Sequence, residues 1–270
     1  MYYSDAVRIL SDAGIEEAQE EARILFEVLG GIPRYKQLGC DPSVDDALIE
    51  DALKRRTLRE PLAYILGEVA FFRERYRVTK DVLIPRADTE ILVESAVKLL
   101  PRGSRFADFC TGSGCVAISV LRARPDCTAV CFDVSENALA VARENAVLNG
   151  VLDRASFHRI DLLTETADLD GARFILSNPP YISHEEMSTL APELAFEPRI
   201  ALEADEDGLI FYRTFLSRYA ELLHKDGFFL FEIGASQADA VTILAEKVGF
   251  DATLTHDLGG RARVLHCKPL

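Results

Sequence analysis

Apolar residues in the first third of the chain recur at helical spacing. Val7, Ile9, Leu10 and Ala13 fall on one side of a short amphipathic helix that Ser4 is placed to cap and Gly14 to stop. A second helix is expected from about Glu16 to Leu29, with Ala18, Ala22, Leu25, Val28 and Leu29 inside and Gly30-Gly31 ending it. Ser43, with Asp46 three residues on, forms a weaker capping-box variant for a third helix reaching roughly Arg59, where Glu60-Pro61 breaks the pattern. From Val69 to Val78 bulky residues flank a polar centre, which predicts a hairpin. Val82-Leu83-Ile84-Pro85 then leads into Arg86 and an acidic helix start, Asp88-Thr89-Glu90.

After Pro101-Arg102-Gly103 the pattern changes to alternating strands and helices. Strands are expected at 106–109, 128–132, 155–160, 174–177 and 228–233, and helices at 116–124, 138–148, 209–223 and 238–248. Two last strands, near 252–255 and 263–267, have no helix between them and predict an antiparallel pair at one edge of a mostly parallel sheet. The expected fold is α/β and doubly wound, Rossmann-like, with a small N-terminal helical domain. Its divisions are a helical domain at 1–67, a β-hairpin linker at 68–85 and the α/β domain at 86–270.

The 270 residues suffice for such a core, and 49% hydrophobic with 27% charged residues is ordinary for a globular protein. A net charge of −14 argues against a general nucleic-acid surface, which needs clustered Lys and Arg. No signal segment and no apolar run of membrane length is visible, so a cytoplasmic protein is expected. The six cysteines include no CxxC pair and no zinc set, so no metal is expected.

The chemistry-bearing stretch is Asn178-Pro179-Pro180-Tyr181, directly after the apolar run Phe174-Ile175-Leu176-Ser177. Two prolines cannot continue a ladder, so this is a stiff loop at the carboxyl end of a strand. Asn178 offers a side-chain carbonyl, the prolines leave backbone carbonyls free and Tyr181 adds a flat ring. That combination suits a planar –C–NH2 group, with two acceptors for its hydrogens and an aromatic surface for its face.

Asp108-Phe109-Cys110-Thr111-Gly112-Ser113-Gly114 ends the first strand of the α/β region and opens a helix. A GxG at that point is common to dinucleotide and S-adenosylmethionine binders, and Ala117 in the third glycine position leaves the choice open. Asp133, nineteen residues beyond Gly114, is placed to accept from both ribose hydroxyls, or else to cap the next helix with Ser135. Asp161 ends the third strand, placed for an adenine amine with Leu162 beside it, or as a turn residue. Cofactor acceptors on three strand ends and an amide clamp on the fourth would set a methyl donor beside a nitrogen acceptor. Such a transfer needs in-line geometry and an available lone pair. A methyltransferase for nucleic-acid amines and a nucleotide-binding oxidoreductase or scaffold are the alternatives; the second leaves the proline loop unexplained.

The residues resemble the peptide chain release factor glutamine methyltransferases, the PrmC/HemK family, over almost the whole chain. The match runs through 60–67 (EPLAYILG), 82–86 (LIPR preceded by Val82) with Thr89-Glu90, 111–115 and the Asn178–Ile182 loop. Glu197-Pro198, Asp207-Gly208-Leu209, Glu232-Ile233-Gly234 with Gln237, and Asp257-Leu258-Gly259 with Arg261 follow in family order. The resemblance implies a class I methyltransferase sheet and methylation of the glutamine of a Gly-Gly-Gln loop in class 1 release factors. It implies an S-adenosylmethionine site along Asp108, Cys110, Thr111, Gly112, Ser113, Gly114, Asp133, Val134, Asp161, Leu162 and Asn178. The glutamine would meet Asn178, Pro179, Pro180 and Tyr181, with Arg86 and Glu197 as further substrate contacts. The release factor would be held partly by the N-terminal helices, by a monomer that binds no nucleic acid stably and no membrane. The chain departs from the family at Cys110, where glycine is common, at Arg73 in the hairpin turn, at Ala87-Asp88 and at 203–206.

Overall fold

The computed structural model describes all residues except Leu38, Asp46, Glu206, His224 and Lys225. By internal packing the chain forms two compact units, Met1–Gly67 with Pro192–Phe196, and Glu68–Ala191 with Glu197–Leu270.

The first unit carries helices α1 (Tyr3–Asp12), α2 (Ala18–Val28), α3 (Arg34–Gln37), α4 (Ala47–Thr57) and α5 (Leu62–Leu66). Its core joins Ala6 and Leu10 to Ala22, Leu25 and Phe26, and to Ile49 and Leu53. Phe26, not Val28, completes the buried stripe of α2, and Val28 is left exposed. At 100° per residue, Val28 lies about 90° round from the line through Ala18, Ala22 and Leu25, and Phe26 about 75° round on the opposite side. Ser4 is not the cap of α1: the helix starts one residue earlier, and Ser4 lies in its first turn. There Asp41 supplies the capping carboxylate, accepting from the Ser4 N–H at 2.8 Å and from its hydroxyl at 2.7 Å. The expected capping box of the third helix involves Asp46 and lies outside the described residues; Ser43 pairs with Tyr2 in an isolated bridge. Pro61 both ends the preceding pattern and opens α5 as its N-cap. Arg56 of α4 is buried in this unit between Glu21, at 2.7 Å, and Glu193, at 3.2 Å.

The second unit begins with a hairpin, β1 (Glu68–Phe71) and β2 (Glu74–Arg77), whose two-residue turn puts Phe72 at φ 55°. Glu90 accepts the Phe72 N–H at 2.8 Å, and the Arg73 guanidinium lies 5.3 Å from the Phe72 ring centre. There follow α6 (Glu90–Leu99), β3 (Arg105–Phe109), α7 (Cys115–Ala123), β4 (Thr128–Asp133), α8 (Glu136–Leu148) and β5 (Ala155–Arg159). The chain closes with β6 (Phe174–Ser177), α9 (Ile210–Tyr219), β7 (Phe228–Glu232), α10 (Ala238–Lys247), β8 (Phe250–His256) and β9 (Ala262–Pro269).

Seven strands form one sheet in the order β5-β4-β3-β6-β7-β9-β8, with β9 antiparallel to both neighbours and all other pairs parallel. The expected doubly wound sheet and its antiparallel edge pair are both present. Phe109, Phe229 and Phe231 meet Tyr212, Phe215 and Tyr219 of α9 and Val241 of α10 on one face. Phe106, Cys131 and Leu176 meet α6 and α7 on the other. After β5 the chain returns to the sheet centre, so β3 and β6 are neighbours and the strand order reverses between them. In open α/β sheets the crevice beyond the carboxyl ends at such a reversal is where ligands bind.

Candidate active site

The end of β3 cannot run straight into α7, because the chain must reverse within five residues. Cys110 at φ 58°, Gly112 at 53° and Gly114 at 81° make the turn. Left-handed backbone costs glycine little but strains a side-chain-bearing residue such as Cys110. Gly114 also sits in a close corner, where a Cβ would displace the end of the Ile118 side chain, 2.9 Å away, and press on Ala142 Cβ at 3.2 Å. The loop is tied to β4: the Thr111 N–H donates to the Phe132 carbonyl at 3.0 Å, and the Gly112 N–H to Asp133 Oδ2 at 2.9 Å. Asp133 Oδ1 takes the Ser135 N–H at 2.9 Å, and Ser135 caps α8 through Ala138 N. Asp133 therefore joins the helix start and the glycine loop, and each oxygen keeps a further lone pair. Burial pushes its carboxyl up, against the pull of the Ser135, Gly112 and Val134 N–H groups.

Asp108 is buried beneath this loop and accepts the Thr111 hydroxyl at 2.6 Å. Burial pushes its carboxyl up to about 7, opposed by Thr111 and the Ala117 N–H. Asn145 of α8, fully buried, donates to the Ser113 carbonyl at 2.9 Å and the Arg77 carbonyl at 3.0 Å, and accepts the Arg77 N–H at 2.7 Å. It locks the hairpin to the glycine loop. Only its place in an apolar helix could have flagged it. At the end of β5, Asp161 turns its oxygens to the Leu163 N–H at 3.0 Å and the Thr164 hydroxyl at 2.9 Å.

A cavity of about 250 Å³ lies beyond these strand ends. Of the sequence-predicted residues, Arg86, Asp108, Cys110, Thr111, Gly112, Ser113, Asp133, Val134, Asp161, Leu162, Asn178 and Pro180 line it. Pro179, Tyr181, Gly114 and Glu197 lie outside its lining. Glu197 is buried, with Oε2 on the Ile84 N–H at 3.0 Å and Oε1 paired to Arg86. Apolar walls from Val82, Leu83, Pro85, Ile200 and Phe211 were missed by sequence reading, which carries no local signal for contacts this distant.

The proline loop is held from behind. Asn178 Nδ2 donates to the Thr89 hydroxyl oxygen at 3.1 Å. An amide whose NH2 is engaged on one side presents its carbonyl oxygen on the other. Among the described residues no donor meets the Pro179 carbonyl. The Tyr181 carbonyl accepts Gln237 Nε2 at 2.9 Å, and Gln237 Oε1 takes the Gly234 N–H at 3.0 Å. Burial pushes the Tyr181 phenol up to about 12, so it stays protonated. Thr89 itself is fixed by its neighbours, with Asp88 paired to Arg263 at 2.9 Å and Glu90 accepting the Phe72 N–H.

Residues 87–226 match the family model of the methyltransferase small domain, and residues 2–67 that of the PrmC N-terminal domain. The release factor glutamine methyltransferase of Caulobacter vibrioides is 36% identical over 267 residues, covering 95% of this chain and 91% of the relative. That of Cereibacter sphaeroides is 39% identical over 272 residues, covering 97% and 95%. Among solved structures, the ribosomal protein L11 methylase of Lactobacillus delbrueckii subsp. bulgaricus shares the fold, with a TM-score of 0.51 at 20% identity over 75% of this chain and 90% of its own. The chain belongs to the family of release factor glutamine methyltransferases.

Proposed function

We propose that this protein transfers a methyl group from S-adenosyl-L-methionine to the side-chain amide nitrogen of the glutamine in the Gly-Gly-Gln motif of class 1 peptide chain release factors. The observation that carries the reading is the Asn178 amide, held through its NH2 by Thr89 at 3.1 Å while the residue lines the cavity. Family membership supports the choice of substrate.

The residues present fit the donor. Asp133 retains acceptor capacity beside a glycine loop that bears no Cβ at Gly112, and Val134, Ile160 and Leu162 give an apolar wall. When bound, S-adenosylmethionine supplies an electrophilic methyl group on its sulfonium. Asp133 would hold the ribose hydroxyls, and Asp161 with Leu162 would border the adenine. Asn178 Oδ1 and the Pro179 carbonyl accept the two hydrogens of the substrate amide, with Pro180 and the Tyr181 ring against its plane. Holding both hydrogens favours a geometry in which the nitrogen lone pair can face the methyl group and stabilises the positive charge that develops on nitrogen. The methylated nitrogen then gives up one of those two hydrogens, as a proton, to water, which leaves the neutral N-methyl amide. Glu197 acts indirectly, fixing Arg86 at the cavity wall. The N-terminal helices contribute to release factor binding, and the protein acts as a cytoplasmic monomer with no stable nucleic-acid complex.

Incubation with labelled S-adenosylmethionine and either a release factor or DNA tests the reading. Label on the release factor, lost when its Gly-Gly-Gln glutamine is replaced, is the expected result; label on nucleic acid alone overturns it. Asn178→Ala should abolish transfer while sparing most cofactor binding.

A further inference from the structure

We propose that Arg86 is the anion site of the cavity and takes the α-carboxylate in the methionine part of S-adenosylmethionine. Among the described residues that line the cavity Arg86 is the one cation, against the four aspartates Asp81, Asp108, Asp133 and Asp161. The donor carries two positive groups, a sulfonium and an α-ammonium, and one negative group, the carboxylate. An acidic wall suits the first two. A carboxylate brought against the same wall needs a cation, and Arg86 is the one at hand.

The guanidinium is anchored from behind. Glu197, whose side chain is 1% exposed, pairs with Arg86 Nη2 through Oε1 and takes the Ile84 N–H on Oε2 at 3.0 Å. Both carboxylate oxygens thus serve the segment that carries Arg86. A guanidinium has five N–H donors. Among the described residues only Nη2 meets a protein acceptor, and the side chain stays 40% exposed. A planar fork with donors to spare matches a carboxylate in two parallel hydrogen bonds. The Arg86 carbonyl accepts the Thr89 N–H at 3.0 Å, and Thr89 holds Asn178 at 3.1 Å. Arg86 therefore stands at the β6 end of the cavity, across the strand order from Asp161 after β5. With the adenosine on Asp133 and Asp161, the methionine chain runs toward that end. The other candidate contact, the substrate glutamine, is a neutral amide whose nitrogen gains positive charge. A guanidinium aimed at it would oppose transfer. This inference rests on the reading of the cavity as the S-adenosylmethionine site.

The test is titration calorimetry on the full chain with two ligands that differ only in the carboxylate, S-adenosylhomocysteine and decarboxylated S-adenosylhomocysteine. Wild type should prefer the first by about 10- to 100-fold, the scale of hydrogen bonds to a charged group. Arg86→Leu should lose that preference. Its affinity for S-adenosylhomocysteine should fall by the same factor, while the decarboxylated ligand binds within about twofold of wild type. Should Arg86→Leu fail to fold, Arg86→Gln, which can still donate to Glu197, replaces it with the same expectation. Parental preference in the variant overturns the proposal, and a raised KM for release factor beside it would put Arg86 on the acceptor instead. An equal loss for both ligands, the mark of a collapsed cavity, also overturns it, as does a wild type without preference. A wild type that binds neither ligand would sink the S-adenosylmethionine reading itself.

Discussion

Gln237 donates its side-chain amide to the Tyr181 carbonyl at 2.9 Å, and this bond fixes the far end of the proline loop. Gly208 packs into the same corner. A Cβ there would stand 2.4 Å from the Tyr181 oxygen and 2.6 Å from Gln237 Nε2, on a backbone at φ +73°. Gly208→Ala should therefore cost about 2 kcal/mol or more in urea unfolding. Methyl transfer should fall further than S-adenosylmethionine affinity, because the displaced element is the amide-binding loop. An Ala variant with parental stability and rate would show that the corner is slack.

Asp133→Asn replaces one acceptor oxygen by an NH2 that must face either the Gly112 or the Ser135 N–H. Two donors then oppose each other at 2.9 Å. S-adenosylmethionine affinity measured by calorimetry should drop at least about tenfold, the equivalent of one lost charge-assisted hydrogen bond.

Arg56→Ala removes the partner of Glu21, 2.7 Å away, while Glu193 keeps Arg59 at 3.1 Å. Both glutamates retain access to water, so the cost should be about 1–3 kcal/mol, the scale of lost hydrogen bonds to a charged group. Chemical denaturation followed by circular dichroism should show the loss. Release factor binding should weaken in parallel.

Asp108 keeps its proton in the folded protein up to about 7, whereas in the unfolded chain it loses it near 3.8. The native state thus binds more protons between those values, and stability falls as pH rises through that window. Melting temperature measured from pH 4 to 8 should decline, and Asp108→Asn should flatten the slope.

The strand-helix rhythm, the polar strand ends and the proline loop were legible because each is a local pattern of a few residues. What holds them was not. Thr89, Gln237 and Asn145 come from segments far from the loops they secure, and a hydrogen bond between distant segments leaves no periodicity. Capping failed for the same reason. Ser4 has the right chemistry for a cap, yet Asp41, thirty-seven residues on, satisfies the α1 terminus. In the hairpin the left-handed residue is Phe72, beside Arg73, and its N–H is tied to Glu90 from eighteen residues on.

The pairing of β3 with β6 has a last consequence. Phe109 sits opposite Ser177, whose hydroxyl donates to the Phe109 carbonyl at 2.8 Å. The glycine loop leaves from one strand and the proline loop from the other, so their separation is the spacing of adjacent strands, about 4.8 Å. A register slip of one residue would move the two loops about 3.3 Å along the strand axis. The sheet is a ruler between donor and acceptor sites. Its graduation is a backbone ladder, which side-chain substitutions in either loop leave unchanged.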